Sequence, residues 1–243
     1  MGSKRLSMKI TVIGLFAAVL ICLSASAYYV YKEEYSGNEL IKGKLASMDA
    51  SYLYDYYVTK TPSIEGRHYY GSQNASVTII AFLDAASKSS KEFVFNILPM
   101  AEKEFIAAGK ARLYIKYSIS RQDIAEKSDG FKYALYATCV GKIDKEKYYP
   151  FYFGMFNLSG AEELPLLAEK HEIPKKLMGT CMKEADIPEA KIDAYEADKF
   201  GISGIKPVFY IGLNGRANTI LYGTHSYKKF KQVLTGRLYS IGE

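Results

Sequence analysis

The 243-residue sequence has no tryptophan, three histidines, three cysteines and seven prolines. Each scarcity removes a class of protein. His68, His171 and His225 are isolated from one another, so no pair has the close spacing of a zinc motif, and neither a metal nor a cofactor is implied. Cationic runs are missing too: the formal charge is +6, and Lys and Arg alternate with Asp and Glu along the helical stretches. That pattern does not make a nucleic-acid patch. What is present, 49% hydrophobic and 24% charged residues, is the balance of a globular domain with appendages. Tyrosine is abundant, which suggests amphipathic surfaces but identifies no ligand. No internal repeat is visible.

The first thirty residues carry a targeting signal. Lys4, Arg5 and Lys9 precede an apolar run from Ile10 to about Val30, long enough to span a bilayer as a helix. Cations before the run place the N-terminus in the cytoplasm and the remainder outside. Ala25-Ser26-Ala27 also has the form of a signal-peptide cleavage site, so both a single-pass membrane anchor and a secreted product cut after Ala27 stand as readings. Either way the domain is exported. Cys22 falls inside the apolar run, which leaves Cys139 and Cys181 in the exported part, where an oxidising compartment favours a structural disulfide.

The expected organisation is a basic cytoplasmic segment at 1–9, a transmembrane or signal segment at 10–30, a stalk at 31–67 and an α/β domain at 68–243. Val77-Thr78-Ile79-Ile80-Ala81-Phe82-Leu83 reads as a strand buried on both faces. A helix over Phe93 to Phe105, closed by Gly109, leads to a second strand at Ala111–Tyr117, parallel to the first across a right-handed crossover. Residues of about 123–186 form a helical insertion. A helix from Glu189 to Phe200, a strand at Val208–Ile211, the turn Asn214-Gly215, a strand at Thr219–Tyr222 and a helix from Ser226 to Leu238 follow.

Gly71-Ser72-Gln73-Asn74-Ala75-Ser76-Val77-Thr78-Ile79, then Phe82-Leu83-Asp84, and later Gly201-Ile202-Ser203-Gly204 before Pro207, resemble the DsbA-like thioredoxin-fold family of thiol:disulfide oxidoreductases. The resemblance covers about Gly71 to Leu238. It implies a thioredoxin-like fold with a helical insertion and makes the Pro207 loop the one that carries the family's cis-proline. It also places Cys139 and Cys181 where some members carry a second, structural cysteine pair, a staple worth about 4 kcal/mol in the chain-entropy model.

The family's redox Cys-x-x-Cys is replaced by Ser87-Lys88-Ser89-Ser90. An alcohol cannot cycle through a disulfide and is hardly ionised at neutral pH, so exchange at Ser87 and Ser90 is excluded. Lys88 stands where members often have proline, and Lys206 precedes Pro207; with Pro207 these are the candidate substrate-binding residues, and the two lysines form an expected anion-binding corner. The plainer reading of the serines is structural: Ser89 to Glu92 matches a capping box. The expected role is capture of an exported peptide or protein partner by a redox-inactive site. One enzymatic alternative rests on Asp84-Ala85-Ala86-Ser87, which resembles the loop of kappa-class glutathione transferases, with Ser87 orienting a substrate thiol.

Overall fold

The computed structural model describes residues 61–183 and 188–242. The expected membrane segment at 10–30 and the stalk up to residue 60 lie outside these, and no helix among the described residues is long and apolar enough to cross a membrane.

Five strands form one sheet in the order β1-β3-β2-β4-β5. They are β1 (Tyr69–Gly71), β2 (Val77–Leu83), β3 (Ala111–Tyr117), β4 (Val208–Leu213) and β5 (Arg216–Tyr222). All seven residues of β2 are buried, as its unbroken apolar run requires of a central strand. It runs parallel to β3 and antiparallel to β4. The short edge strand β1 has no counterpart in the sequence reading. Three residues are too few to show a period, and Gly71 turns out of it at φ +113°, pressed so close to Ala111 that an added Cβ would sit 2.9 Å from that carbonyl oxygen.

Helix α1 joins β2 to β3. It runs from Lys88 to Ile106, with α-turns at Lys88–Glu92 and Leu98–Ala101 and π-turns at Phe93–Ile97 and Glu102–Ile106. Pro99 has no N–H to give, and the neighbouring Leu98 amide bonds five residues back, to the Phe93 carbonyl. Gly109 closes the segment at φ +73°. The insertion is helical: α2 (Arg121–Glu126), α3 (Asp129–Ile143), α4 (Tyr148–Met155), α5 (Leu164–Lys170) and α6 (Lys175–Lys183). Cys139 of α3 and Cys181 of α6 are bonded, closing a loop of 42 positions. Helix α7 (Pro188–Lys199) and helix α8 (Tyr227–Tyr239) complete the chain.

The main core lies between the sheet and α1, the insertion and α8. A smaller core on the other face collects Ile80, Phe82, Tyr114, Val208 and Tyr210 beneath Ala197 of α7 and Ile202. Lys116 shares this face and is fully buried. Its ammonium pairs with Glu196 and lies 3.0 Å from Asp193, and Asp193 also bonds Arg67 and accepts from the Tyr117 amide at 2.8 Å. Lys116 further donates to the Ser63 carbonyl at 2.9 Å, while the Ser63 amide donates to Glu196. The compact body therefore begins before residue 68: part of the expected stalk, with Pro62 buried, is strapped down by charge. Nothing in the local pattern of 61–67 announces this, because the partners lie 53 to 133 positions away. Burial pushes the Asp193 carboxyl above its ordinary range against the pull of Arg67, Lys116 and the Tyr117 amide.

Lys116→Met leaves Glu196 and half of Asp193 facing no cation, and unfolding stability should fall by about 3–5 kcal/mol. Urea titration checks this; an unchanged midpoint would show that the cluster holds nothing. A second expectation concerns acid. Burial lowers His68, whose ring packs tilted against Tyr148 at 4.9 Å, with Lys145 and Arg67 adding to it and Glu189 opposing. Burial likewise lowers His171, helped by Lys170 and Lys147. The unfolded chain takes up these protons near pH 6.5 and the folded chain only at lower pH, so stability is lost as pH falls below about 6.5. The urea midpoint should drop between pH 7.5 and 5.5, and less so in His68→Gln, His171→Gln.

Candidate functional site

Where β2 ends, Asp84-Ala85-Ala86 turns the chain into α1. The Ser87 amide closes the turn on the Asp84 carbonyl at 2.9 Å. Ser87, extended at φ −84° and ψ 127°, then caps α1: its hydroxyl accepts the Ser90 amide at 3.5 Å. Ser90 is fully buried, and its hydroxyl accepts the Asp84 amide at 3.2 Å. The helix thus starts two residues before the capping box expected at Ser89, because the closed turn already commits Lys88 to the first helical position. Ser89 lies within the first turn, and Glu92 is left exposed.

The Pro207 loop meets this turn through strand register. Val208 pairs with Phe82, so Pro207 follows on beside the end of β2. The Lys206–Pro207 peptide is cis. Lys206 does not form a two-lysine anion corner with Lys88, because its ammonium lies 2.6 Å from Asp84 Oδ2, whose other oxygen accepts the Ala86 amide at 2.9 Å. Asp84 is 7% exposed and Lys206 27%. Asp123 of α2 feels the same ammonium: burial works against its ionisation, but hydrogen bonds from Ser120 and the charge of Lys206 hold its carboxyl below the ordinary range. Lys88 is left exposed at the start of α1.

Beside Pro207 a small cleft, with room for little more than one water molecule, lies between α1, β4 and the start of α8. Phe93, Ile97, Phe209, His225 and Phe230 line it with Pro207. Its floor is an aromatic trio, with Phe93 and Phe209 centroids 4.5 Å apart, Phe209 and Phe230 5.3 Å, and Phe93 and Phe230 5.5 Å. Sequence reading placed these phenylalanines in separate elements and missed the cleft; no pattern in one segment signals a surface shared by three. Asp84 was legible as the end of a strand but not as the partner of Lys206.

Cys139 and Cys181 are spent on each other, and neither sits at a helix N-terminus: Cys139 is buried in the body of α3 and Cys181 lies near the end of α6. The arrangement can therefore cap a helix, hold an ion pair and offer an apolar cleft.

No protein-family model matches the chain, and no curated protein does. Solved structures do. Wolbachia pipientis alpha-DsbA1 superposes with a TM-score of 0.64 at 19% identity, covering 76% of this chain and 96% of that one. BdbD from Bacillus subtilis gives 0.62 at 23% identity over 74% and 96%. Chlamydia trachomatis DsbA gives 0.59 at 19% identity over 75% and 96%. At such identities the likeness is one of fold, and the fold is the DsbA-type thioredoxin fold with its helical insertion. The kappa-class alternative finds no support in these comparisons.

Lys206→Met strands a buried carboxylate and should destabilise the protein by about 1–3 kcal/mol. Adding Asp84→Asn should recover part of the loss, read by thermal or urea unfolding; additive losses would mean that the two groups do not act as a pair.

Proposed function

We propose that the chain is an exported, membrane-anchored binding protein that uses a DsbA-type thioredoxin fold to hold an extended peptide or protein segment beside Pro207, and that it carries out no thiol–disulfide exchange. The observation that carries this reading is the pairing of two facts at one place. Serine hydroxyls tied to backbone amides stand at the start of α1, where exchange chemistry needs a thiolate. Next to them, the cis-proline loop and the aromatic cleft remain. The apolar run at 10–30 behind three cations supports export and anchoring. The partly exposed Ile97 beside Pro207 offers an apolar edge to a bound segment, and the exposed Lys88 suits a carboxylate or a carbonyl flanking it.

Two measurements on the detergent-solubilised full chain test the two halves. Insulin reduction by dithiothreitol should proceed at the same rate with and without the protein, and Ser87→Cys, Ser90→Cys should accelerate it. Acceleration by the unaltered chain that disappears in Cys139→Ala, Cys181→Ala would make the insertion cysteines a redox centre and overturn the reading. Fluorescent carboxymethylated insulin B chain should bind, and Ile97→Glu should weaken it tenfold or more; absence of binding would remove the capture role.

A further inference from the structure

Helix α8 departs from the general alternation of charges. It carries Lys228, Lys229, Lys231 and Arg237 and no aspartate or glutamate. Glu104 of α1 meets Lys231 at 2.5 Å, and Arg237 is turned inward to the Thr219 hydroxyl. Lys228 and Lys229 follow the Ser226 cap in the first turn, both exposed and without an ion pair among the described residues. The start of a helix carries positive partial charge, so two cations there oppose the dipole and cost stability. Residues that break a local rule with no compensating contact inside the fold point to a role outside it. By helical periodicity, Lys228, Gln232 and Tyr239 share one outward stripe with Lys229 on its flank, opposite the buried Phe230, Leu234 and Leu238. The stripe ends in an apolar tip: Tyr239 is 77% exposed and Ile241, just beyond it, 40%.

We propose that the outer face of α8 docks the exported domain on anionic phospholipid, with Lys228 and Lys229 against headgroup phosphates and Tyr239 and Ile241 in the interfacial layer. The proposal rests on the anchoring half of the proposed function and not on peptide capture. Charge selects the class of occupant: unpaired lysines on an acid-free helix are drawn to an anionic surface. The apolar tip selects within that class. A soluble anion would engage the lysines and leave Tyr239 and Ile241 in water, whereas a lipid surface engages both, since tyrosine sits well at headgroup level. The apolar run at 10–30, read as an anchor, keeps such a surface at hand, so an attraction too weak to hold a freely diffusing protein suffices.

Because the chain has no tryptophan, Tyr239→Trp supplies a single fluorescent reporter. The full-length variant is reconstituted in vesicles of phosphatidylcholine with or without phosphatidylglycerol, and its emission is quenched by a lipid that carries a nitroxide at the boundary of headgroup and chain. Quenching should be strong with phosphatidylglycerol, weak without it, and reduced by added salt. A reporter at Tyr195→Trp, on α7 over the other face of the sheet, should stay unquenched in both lipids. Lys228→Gln, Lys229→Gln should lower the docked-to-undocked ratio about thirtyfold, each lysine at such a surface contributing about fivefold. That variant should keep or raise its urea midpoint, since both charges oppose the helix dipole, so lost docking is told apart from lost structure. No quenching, equal quenching in both lipids, quenching of the α7 reporter, or quenching that survives the lysine substitutions overturns the proposal, and the anchor still stands if the chain floats with the vesicles in alkaline carbonate. A chain that does not float with them overturns the anchor and this proposal together.

Discussion

Strand β2 constrains the rest of the molecule. Because its seven residues are buried on both faces and hydrogen-bonded along both edges, its last residue, Leu83, has one possible position relative to β3 and β4. The turn at Asp84 and the proline loop before β4 are thereby brought together from points more than 120 residues apart. A slip of one residue in the β2–β4 register would turn Phe209 away from Phe93 and carry Lys206 out of reach of Asp84. The site is thus a consequence of sheet pairing, and α1 merely continues from it.

The buried charges beneath the second face support this arrangement from below. Lys116 follows from the alternation of β3, which sends every second side chain through the sheet to that face. A lysine there costs desolvation unless carboxylates come to it, and α7 supplies them at Asp193 and Glu196, one helical turn apart. The arm at 61–67 completes the cage through Ser63 and Arg67. Such a cluster contributes definition more than net stability. It fixes α7 against β3 and so fixes the loop from Gly201 that α7 feeds into Pro207.

The parts legible in the sequence are those whose signal is local. Val77–Leu83 and Ala111–Tyr117 are found as read, since an unbroken β-branched run and an alternating one have few other uses. The insertion is helical, and the last helix shifts by a single residue, from Ser226–Leu238 to Tyr227–Tyr239. Residue likeness to a family supplied what periodicity could not, the cis-proline loop at Lys206–Pro207. The failures are all pairings at long range or competitions at short range. Ser87 and Ser89 are both good caps, and only the closed Asp84 turn decides between them. The Lys206–Asp84 pair, the Ser63 and Arg67 contacts and the aromatic cleft each join segments that sequence treats separately.

Replacing thiols by serines changes what the same scaffold can do without disturbing how it is built. A thiolate at Ser87 would draw its stabilisation from the start of α1, and there its electronic demand would have to be met afresh in each redox state. A serine makes no such demand. Its hydroxyl stays in one protonation state and keeps one hydrogen bond, to the Ser90 amide, while Ser90 in turn keeps the Asp84 amide. With Asp84 neutralised by Lys206 as well, the charge beside the cleft no longer depends on chemistry at the helix start.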